Sequence, residues 1–185
     1  MPKAFVLISN ESGAETSVIS NLNIIDSVKE AYGTFGSYDI ITKLESNDEG
    51  KIQHDISNGI RKIQKIYSTL TLLVNEKESF RKTTKSEKEV LEKYMAQAFV
   101  IIHCNRSQES AILQELEKIT EVVEADNLIG SFEIICKLVA PTYNDISDII
   151  SKKIRKIANI KSTITLNVVG NQGFSKWFKF NVLKI

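Results

Sequence analysis

The chain has 185 residues, a net charge of +1 from 24 basic and 23 acidic side chains, and an apolar share of 42%. These values are typical of a globular protein, and they argue against direct nucleic-acid binding, which needs a clear basic excess to neutralise phosphates. No apolar run approaches the roughly 18 residues that a membrane helix requires. We therefore expect a cytoplasmic protein with neither a nucleic acid nor a membrane as its partner.

The chain contains an internal duplication. Residues 4–74 align with residues 98–168 at a constant offset of 94 without a gap, and 29 of the 71 aligned positions are identical. Such self-similarity indicates two copies of one structural module. The alignment predicts four segments: a first copy at 1–74, a connector at 75–97, a second copy at 98–168 and a C-terminal tail at 169–185.

Apolar runs and helical spacing predict six elements in the first copy. In chain order these are a strand at 4–8, a helix around 18–22, strands at 28–35 and 38–44, a helix around 52–63 and a strand at 68–74. Gly36 and Ser37 stand between the middle strands, and glycine at the first central position suits a two-residue type II′ hairpin turn. The second copy repeats the six elements, and Thr142 to Asp145 has capping-box spacing ahead of its second helix.

The connector and the tail differ from the two copies in composition. The connector carries six basic and five acidic residues, and Ser86 and Glu89 have capping-box spacing, so we predict a solvated segment that is partly helical. The tail is basic and carries four aromatic residues, Phe174, Trp177, Phe178 and Phe180. So much apolar area is rarely left exposed, and we expect the tail to pack on the body or on a neighbour.

The element order predicts an α+β fold of two ferredoxin-like βαββαβ domains in tandem, each with one antiparallel sheet. Helices cover one face of such a sheet, yet the run from Ala4 to Ile8 is apolar throughout, as expected for a strand buried on both faces. We therefore predict that the two sheets pack face to face as a pseudo-dimer. Domain swapping or a larger ring is the alternative.

Three segments resemble the effector-binding domain of the Lrp/AsnC regulators, also called the RAM domain. They are AFVLI at 4–8, EAYGTFGSYDIITKLE at 30–45 and IRKIQKIYSTLTLLV at 60–74. The resemblance covers both copies, about 142 of the 185 residues, and the hairpin around Gly36 is its most specific part. It implies a module that binds amino acids or related small molecules and assembles into oligomers.

The resemblance also implies ligand-binding positions near the hairpin and the adjoining subunit interface. They are Thr34, Gly36, Ser37, Tyr38 and Asp39 in the first copy, and Gly130, Ser131 and Glu133 in the second, where Phe132 replaces the tyrosine. An amino-acid ligand needs donors for its carboxylate and an acceptor for its ammonium group. Backbone N–H groups around Gly36 and the carboxylate of Asp39 suit these two roles. The alternative is that Gly36 only forms the turn and Asp39 is an exposed residue at a strand start.

Regulators of this family join the domain to a DNA-binding helix-turn-helix, and we expect none here. The first strand begins at residue 4, and the 23-residue connector is too short to hold such a motif. We therefore expect a stand-alone tandem form. Its partners would be a small-molecule ligand and either further copies of itself or Lrp/AsnC-type regulators, in a homo-oligomer or a hetero-oligomer.

Catalytic and cofactor motifs such as GxSxG, HExxH, the phosphate-binding loop and GxGxxG are not recognisable in the sequence. Cys104 and Cys136 lie on strands that would be neighbours, but His103 points to the opposite face from Cys104, and a closed zinc site needs four ligands. We interpret the cysteines as buried thiols. The prediction is no catalytic residue, no metal and no cofactor.

A basic run marks the end of the second copy: Lys152, Lys153, Arg155, Lys156 and Lys161. We interpret it as a solvated helix face, with an anionic partner as the alternative. Taken together, the sequence predicts a non-enzymatic regulatory protein that binds an amino acid or a related metabolite. Two alternatives stay open: a structural or adaptor protein whose pocket has closed, and a ferredoxin-like dimeric enzyme.

Overall fold

The computed structural model describes residues 1–176, except for the side chains of residues 85, 88, 89, 92 and 94. Its strands are β1 (Lys3–Asn10), β2 (Val28–Phe35), β3 (Ile40–Glu45), β4 (Ile66–Arg81), β5 (Ala96–Cys104), β6 (Val122–Ile129), β7 (Ile134–Ala140) and β8 (Ile160–Ser175). Its α-helices are α1 (Glu15–Ile24), α2 (Glu49–His54), α3 (Lys85–Tyr94), α4 (Glu109–Glu117) and α5 (Tyr143–Lys152). A π-helical turn at Asp55–Gly59 and a 3-10 turn at Ile60–Lys62 continue α2, and a second 3-10 turn at Ile154–Lys156 follows α5.

Two of the helices begin with a capping box. At α5 the predicted box is confirmed, because Thr142 and Asp145 exchange side-chain-to-backbone hydrogen bonds in both directions. At α3 the box is formed by Thr84 and Glu87, two residues earlier than the predicted pair. Glu87 accepts hydrogen bonds from the backbone and the hydroxyl of Thr84, which lowers the pKa of its carboxyl group.

One compact unit consists of residues 1–74 and the segment that starts at Val169. Strand β1 lies between β3 and β4 in antiparallel register, with Phe5 opposite both Lys43 and Leu72. Alternate β1 residues beginning with Ala4 pack into the core against α1 and the α2 region. The residues between them are also buried, since Phe5 is only 2% exposed, so both faces of β1 are buried as its apolar run predicted.

The second compact unit consists of Asn75–Val168 and repeats this pattern. Strand β5 lies between β7 and β8, with Phe99 opposite both Lys137 and Leu166. Its core collects alternate residues of β5, such as Ala98, together with the apolar faces of α4 and α5. The amphipathic spacing of α5 places Ile146, Ile149 and Ile150 in that core.

The predicted fold of two ferredoxin-like βαββαβ domains with their sheets packed face to face is wrong. The hydrogen-bonded strand order is β1-β3-β2-β8-β5-β7-β6-β4, and it closes on β1 as an eight-stranded antiparallel barrel. The cause is the length of β4 and β8, which have 16 residues each where the sequence predicted seven. Each long strand belongs to one unit in its first half and to the other in its second half.

The C-terminal tail is described only at its beginning. Phe174 packs against the core of the unit that contains β1. The predicted docking of Trp177, Phe178 and Phe180 lies outside the described residues. Among the described helices, none combines the length and the apolar character needed to cross a bilayer.

Candidate functional site

The hairpin of the first copy is closed by a four-residue connection, residues 36–39, and not by the predicted two-residue turn. Gly36 has φ +144°, a backbone conformation that side chains with a Cβ rarely adopt. Thr34 donates its backbone N–H to the carbonyl of Asp39 at 2.8 Å and its hydroxyl to the carbonyl of Tyr38 at 2.9 Å. These bonds hold Tyr38 and Asp39 in the connection, so β3 begins at Ile40.

The carboxylate of Asp39 holds the hairpin to the end of β1. Its Oδ2 accepts the backbone N–H of Asn10 at 2.9 Å, and the Asp39 N–H is donated to the carbonyl of Ile8 at 2.9 Å. The structure therefore brings Thr34, Tyr38 and Asp39 together, whereas Gly36 and Ser37 lie exposed at the tip. Asp39 is a partly buried, hydrogen-bonded residue and not the exposed strand-start residue of the alternative interpretation.

The second copy uses the same device with a longer acid. Oε2 of Glu133 accepts the backbone N–H of Cys104 at 2.9 Å, and this N–H corresponds to that of Asn10 at the offset of 94. The same oxygen lies 3.0 Å from Nδ1 of His103. An ionised carboxylate only accepts, so this contact is a hydrogen bond in the ring tautomer that carries a hydrogen on Nδ1. Gly130, with φ +128°, and Ser131 again lie exposed at the tip, while Glu133 is 8% exposed.

Sequence reasoning missed Asn10 and His103 as members of this site. Asn10 is 5% exposed, and its Nδ2 donates to the carbonyl of Glu11 at 2.8 Å and to Oε1 of Glu15 at 3.3 Å. Within residues 1–176, no donor reaches its Oδ1. A buried amide oxygen without a donor is unfavourable, and Oδ1 of Asn10, whose backbone N–H is bonded to Asp39, is such an acceptor.

Both thiols are free and buried. Burial raises the pKa of Cys104 to about 11 and that of Cys136 to about 12, with the neighbouring carboxylate of Glu133 as a further cause at Cys104. Both side chains therefore stay protonated at neutral pH and are poor nucleophiles. Across the part of the chain that the structure describes, no three His, Cys, Asp or Glu side chains converge as metal ligands.

A buried lysine stands opposite a buried glutamate on the helix-free face of each sheet, and sequence reasoning missed both residues. In the first copy, Glu30 stands directly opposite Lys43, which is 5% exposed and lies 3.5 Å from Oε1 of Glu45. In the second copy, Glu124 stands opposite Lys137. Each lysine also lies near an aromatic ring on the first strand of its copy, with 5.9 Å from Lys43 Nζ to the Phe5 centroid.

The second unit adds an arginine to this face. Nη2 of Arg81 donates to both carboxylate oxygens of Asp126 at 2.8 Å, and its Nε lies 3.4 Å from Glu124. The Asp126 side chain is 2% exposed. Because Arg81 lies at the end of β4 and Asp126 on β6, this pair fastens the second half of the long strand to its neighbour.

Truncation of Glu133 tests whether the hairpin carboxylate is needed for folding. We expect Glu133→Ala to lower the free energy of unfolding by about 2 kcal/mol, because the buried N–H of Cys104 loses its acceptor. Glu133→Gln keeps an acceptor oxygen, and we expect it to cost less than about 1 kcal/mol. Urea denaturation of both variants measures the difference, and equal losses would contradict the assignment.

Comparison with known proteins places part of the chain in a family. Residues 97–171 match the family model described as the Lrp/AsnC ligand binding domain. The crystal structure of FFRP-DM1 is 35% identical, covering 40% of this chain and 100% of that one, with a TM-score of 0.39. A homocitrate synthase of Sulfurisphaera tokodaii is 36% identical over 76 residues, which are 40% of this chain. The chain spans only 16% of the length of that curated relative.

Similarity over nearly the whole chain is found with a second solved structure. The siroheme decarboxylase NirDL covers 94% of this chain and 72% of its own, with a TM-score of 0.69 and 12% sequence identity. At this identity the similarity concerns the fold alone.

Proposed function

Residues 97–171 belong to the Lrp/AsnC ligand binding domain family, and from this premise we propose that the chain is a regulatory protein controlled by a small molecule. The ligand class we propose is an amino acid or a related metabolite with an ammonium group. Its binding site is the hairpin of the first copy, built from Thr34, Gly36, Ser37, Tyr38 and Asp39 together with Asn10.

The unsatisfied acceptor at Asn10 is the observation that carries this proposal. Its Oδ1 is buried without a donor among the described residues, and its own backbone N–H is bonded to the carboxylate of Asp39. An ammonium group supplies three donors, and one of them would satisfy this oxygen while the positive charge meets Asp39. The exposed tip at Gly36 and Ser37 would then receive the carboxylate of the same ligand.

The second copy is proposed to differ in ligand response. At the position of Asn10 it has Cys104, whose thiol replaces the amide acceptor, and the Glu133 oxygen there already accepts two hydrogen bonds. The acceptor pattern that suits an ammonium group is therefore present in the first copy and changed in the second. The Glu133 position of the second copy then acts in folding more than in binding.

We propose that the protein exerts its regulatory effect by associating with other chains that carry the same domain. These are either further copies of itself or Lrp/AsnC-type regulators. A ligand shifts such an assembly only if it binds one assembled state more tightly than another. We propose no catalytic role, since burial keeps both thiols protonated.

An adaptor without a ligand is the second candidate function. The observation in its favour is that both hairpin carboxylates, Asp39 and Glu133, already bind a backbone N–H at the end of the preceding strand. In that case the hairpin is a purely structural device and only the association surface acts.

A thermal-shift screen against the amino acids, followed by calorimetric titration of any hit, separates the two candidates. A ligand at 100 times its Kd adds about 2.7 kcal/mol to the stability, which raises the unfolding midpoint by about 5 to 11 °C for a chain of this length. We expect Asp39→Asn to weaken binding by about ten- to a hundredfold, because the amide keeps an acceptor for Asn10 but loses the charge.

Glu133→Gln is the matched control, since it makes the same chemical change at the equivalent position of the second copy. We expect its affinity to equal that of the unaltered chain. If no amino acid shifts the midpoint, or if Asp39→Asn binds as tightly as the unaltered protein, the adaptor is the better description.

A further inference from the structure

A polar cavity of about 430 Å³ lies in the second copy, apart from the groups assigned above. It is lined by Arg155 of the 3-10 turn and by the first residues of β8, Ile160, Lys161, Ser162 and Thr163. The described residues of its lining supply two cations and two hydroxyls and no carboxylate. A cavity with this composition selects for an anion.

Arg155 is oriented at this cavity by a hydrogen bond to a neighbouring strand residue. Its Nε donates to Oγ1 of Thr163 at 3.0 Å. Among the described residues, no acceptor is bonded to its two terminal nitrogens or to the ammonium group of Lys161. A guanidinium held by Nε presents its remaining N–H groups as a fixed fork, which matches two oxygens of a phosphate or a carboxylate.

The charge around the cavity favours a doubly negative group. The segment 151–163 holds five basic residues and no acidic one. Two of these, Lys152 and Lys153, face Asp148 at 3.4 Å and Glu121 at 3.5 Å. The two cations at the cavity, Arg155 and Lys161, are available to a ligand. They match the charge of a phosphate group, which carries about two negative charges at neutral pH.

The first copy contains the same scaffold without the second cation. Nε of Arg61 donates to Oγ1 of Thr69 at 3.3 Å, as in the second copy. Ser68 corresponds to Ser162, but Tyr67 stands where the second copy has Lys161. The duplication thus supplies a natural comparison in which the arginine is kept and the lysine is absent.

We propose that this cavity binds the phosphate group of a soluble small molecule. Arg155 receives two phosphate oxygens through its terminal nitrogens, and Lys161 and Ser162 donate to the remaining oxygens. This site is distinct from the hairpin of the first copy, and its occupancy does not depend on the ligand proposed there.

Isothermal titration of the full chain with inorganic phosphate and with ATP tests the proposal. We expect saturable binding that Arg155→Gln weakens at least tenfold and Lys161→Tyr, which copies the first repeat, weakens about fivefold. Arg61→Gln is the matched control and should leave the affinity unchanged. Circular dichroism and the unfolding midpoint establish that each variant is folded. If Arg155→Gln does not fold, Lys161→Tyr tests the proposal alone, because Lys161 is exposed and its replacement should not disturb the fold.

Several results would overturn the proposal. They are absence of binding of both phosphate and ATP, an affinity unaffected by Arg155→Gln and Lys161→Tyr, equal weakening by Arg61→Gln, and equal binding of acetate. Binding of the chain to vesicles that contain phosphatidate is measured as well. Binding of these vesicles without binding of soluble phosphate would overturn the assignment to a small molecule.

Discussion

Asp126→Ala is expected to lower the free energy of unfolding by about 2 to 3 kcal/mol, because two charge-assisted hydrogen bonds to a buried carboxylate are lost. Both oxygens of Asp126 accept from Arg81 at 2.8 Å, and the Asp126 side chain is 2% exposed. After truncation, the guanidinium of Arg81, whose side chain is 28% exposed, no longer has this carboxylate as its partner. Chemical denaturation of the full chain measures the loss.

An exposed ion pair of equal length is the control for this prediction. Lys118 and Glu115 also approach to 2.8 Å, but their side chains are 71% and 52% exposed. We expect Lys118→Ala to change the stability by less than about 0.5 kcal/mol, since solvent screens such pairs. Similar losses for the two variants would contradict a special role of the Arg81 pair in fastening β4 to β6.

Gly173→Ala is the second substitution for which we expect a large effect, a loss of about 3 kcal/mol, the upper end of what overpacking costs. A Cβ on Gly173 would lie 2.5 Å from the carbonyl oxygen of Ala31 and 3.0 Å from the Cα of Tyr32. Both contacts are with the backbone of β2, which cannot move without breaking its own ladder. Thermal unfolding followed by circular dichroism measures the loss.

Two further glycines calibrate this result within the same part of the sheet. A Cβ on Gly170 would meet nothing within 4 Å, so Gly170→Ala should be neutral or slightly stabilising. A Cβ on Gly33 would meet the amide end of the Gln172 side chain, which can rotate away, so we expect a smaller loss than at Gly173. If the loss at Gly173 does not exceed that at Gly33, close backbone approach is not what the glycine provides.

Local patterns predicted the elements of each copy well. The apolar run at Ala4–Ile8 forms the middle of β1, the Thr142 capping box begins α5, and glycine stands at each hairpin tip. The second halves of β4 and β8 could not be predicted in this way. Residues 75–81 are mostly charged or polar, and residues 169–175 contain two glycines, so neither has the alternation of a half-buried strand.

These segments form strands because residues far away in the sequence pair with them. Such pairing is not visible in the local sequence pattern. The same reasoning explains what was missed at the hairpin. The carboxyl groups at Asp39 and Glu133 were recognisable, but the donors are backbone N–H groups of Asn10 and Cys104, which every residue type carries. The sequence did carry a signal for the buried charged residues, because Glu30 with Glu124 and Lys43 with Lys137 are identities of the duplication.

The division of the chain into units has a consequence for its synthesis. The unit Asn75–Val168 is continuous in sequence, whereas the unit with β1 takes its last strand segment from residues after Val169. On the ribosome, every residue of the continuous unit is therefore made before the unit that started first has received its final strand. Until β8 has been synthesised, the edge of β2 stays unpaired. The N-terminal part of the protein is therefore the last to complete its sheet.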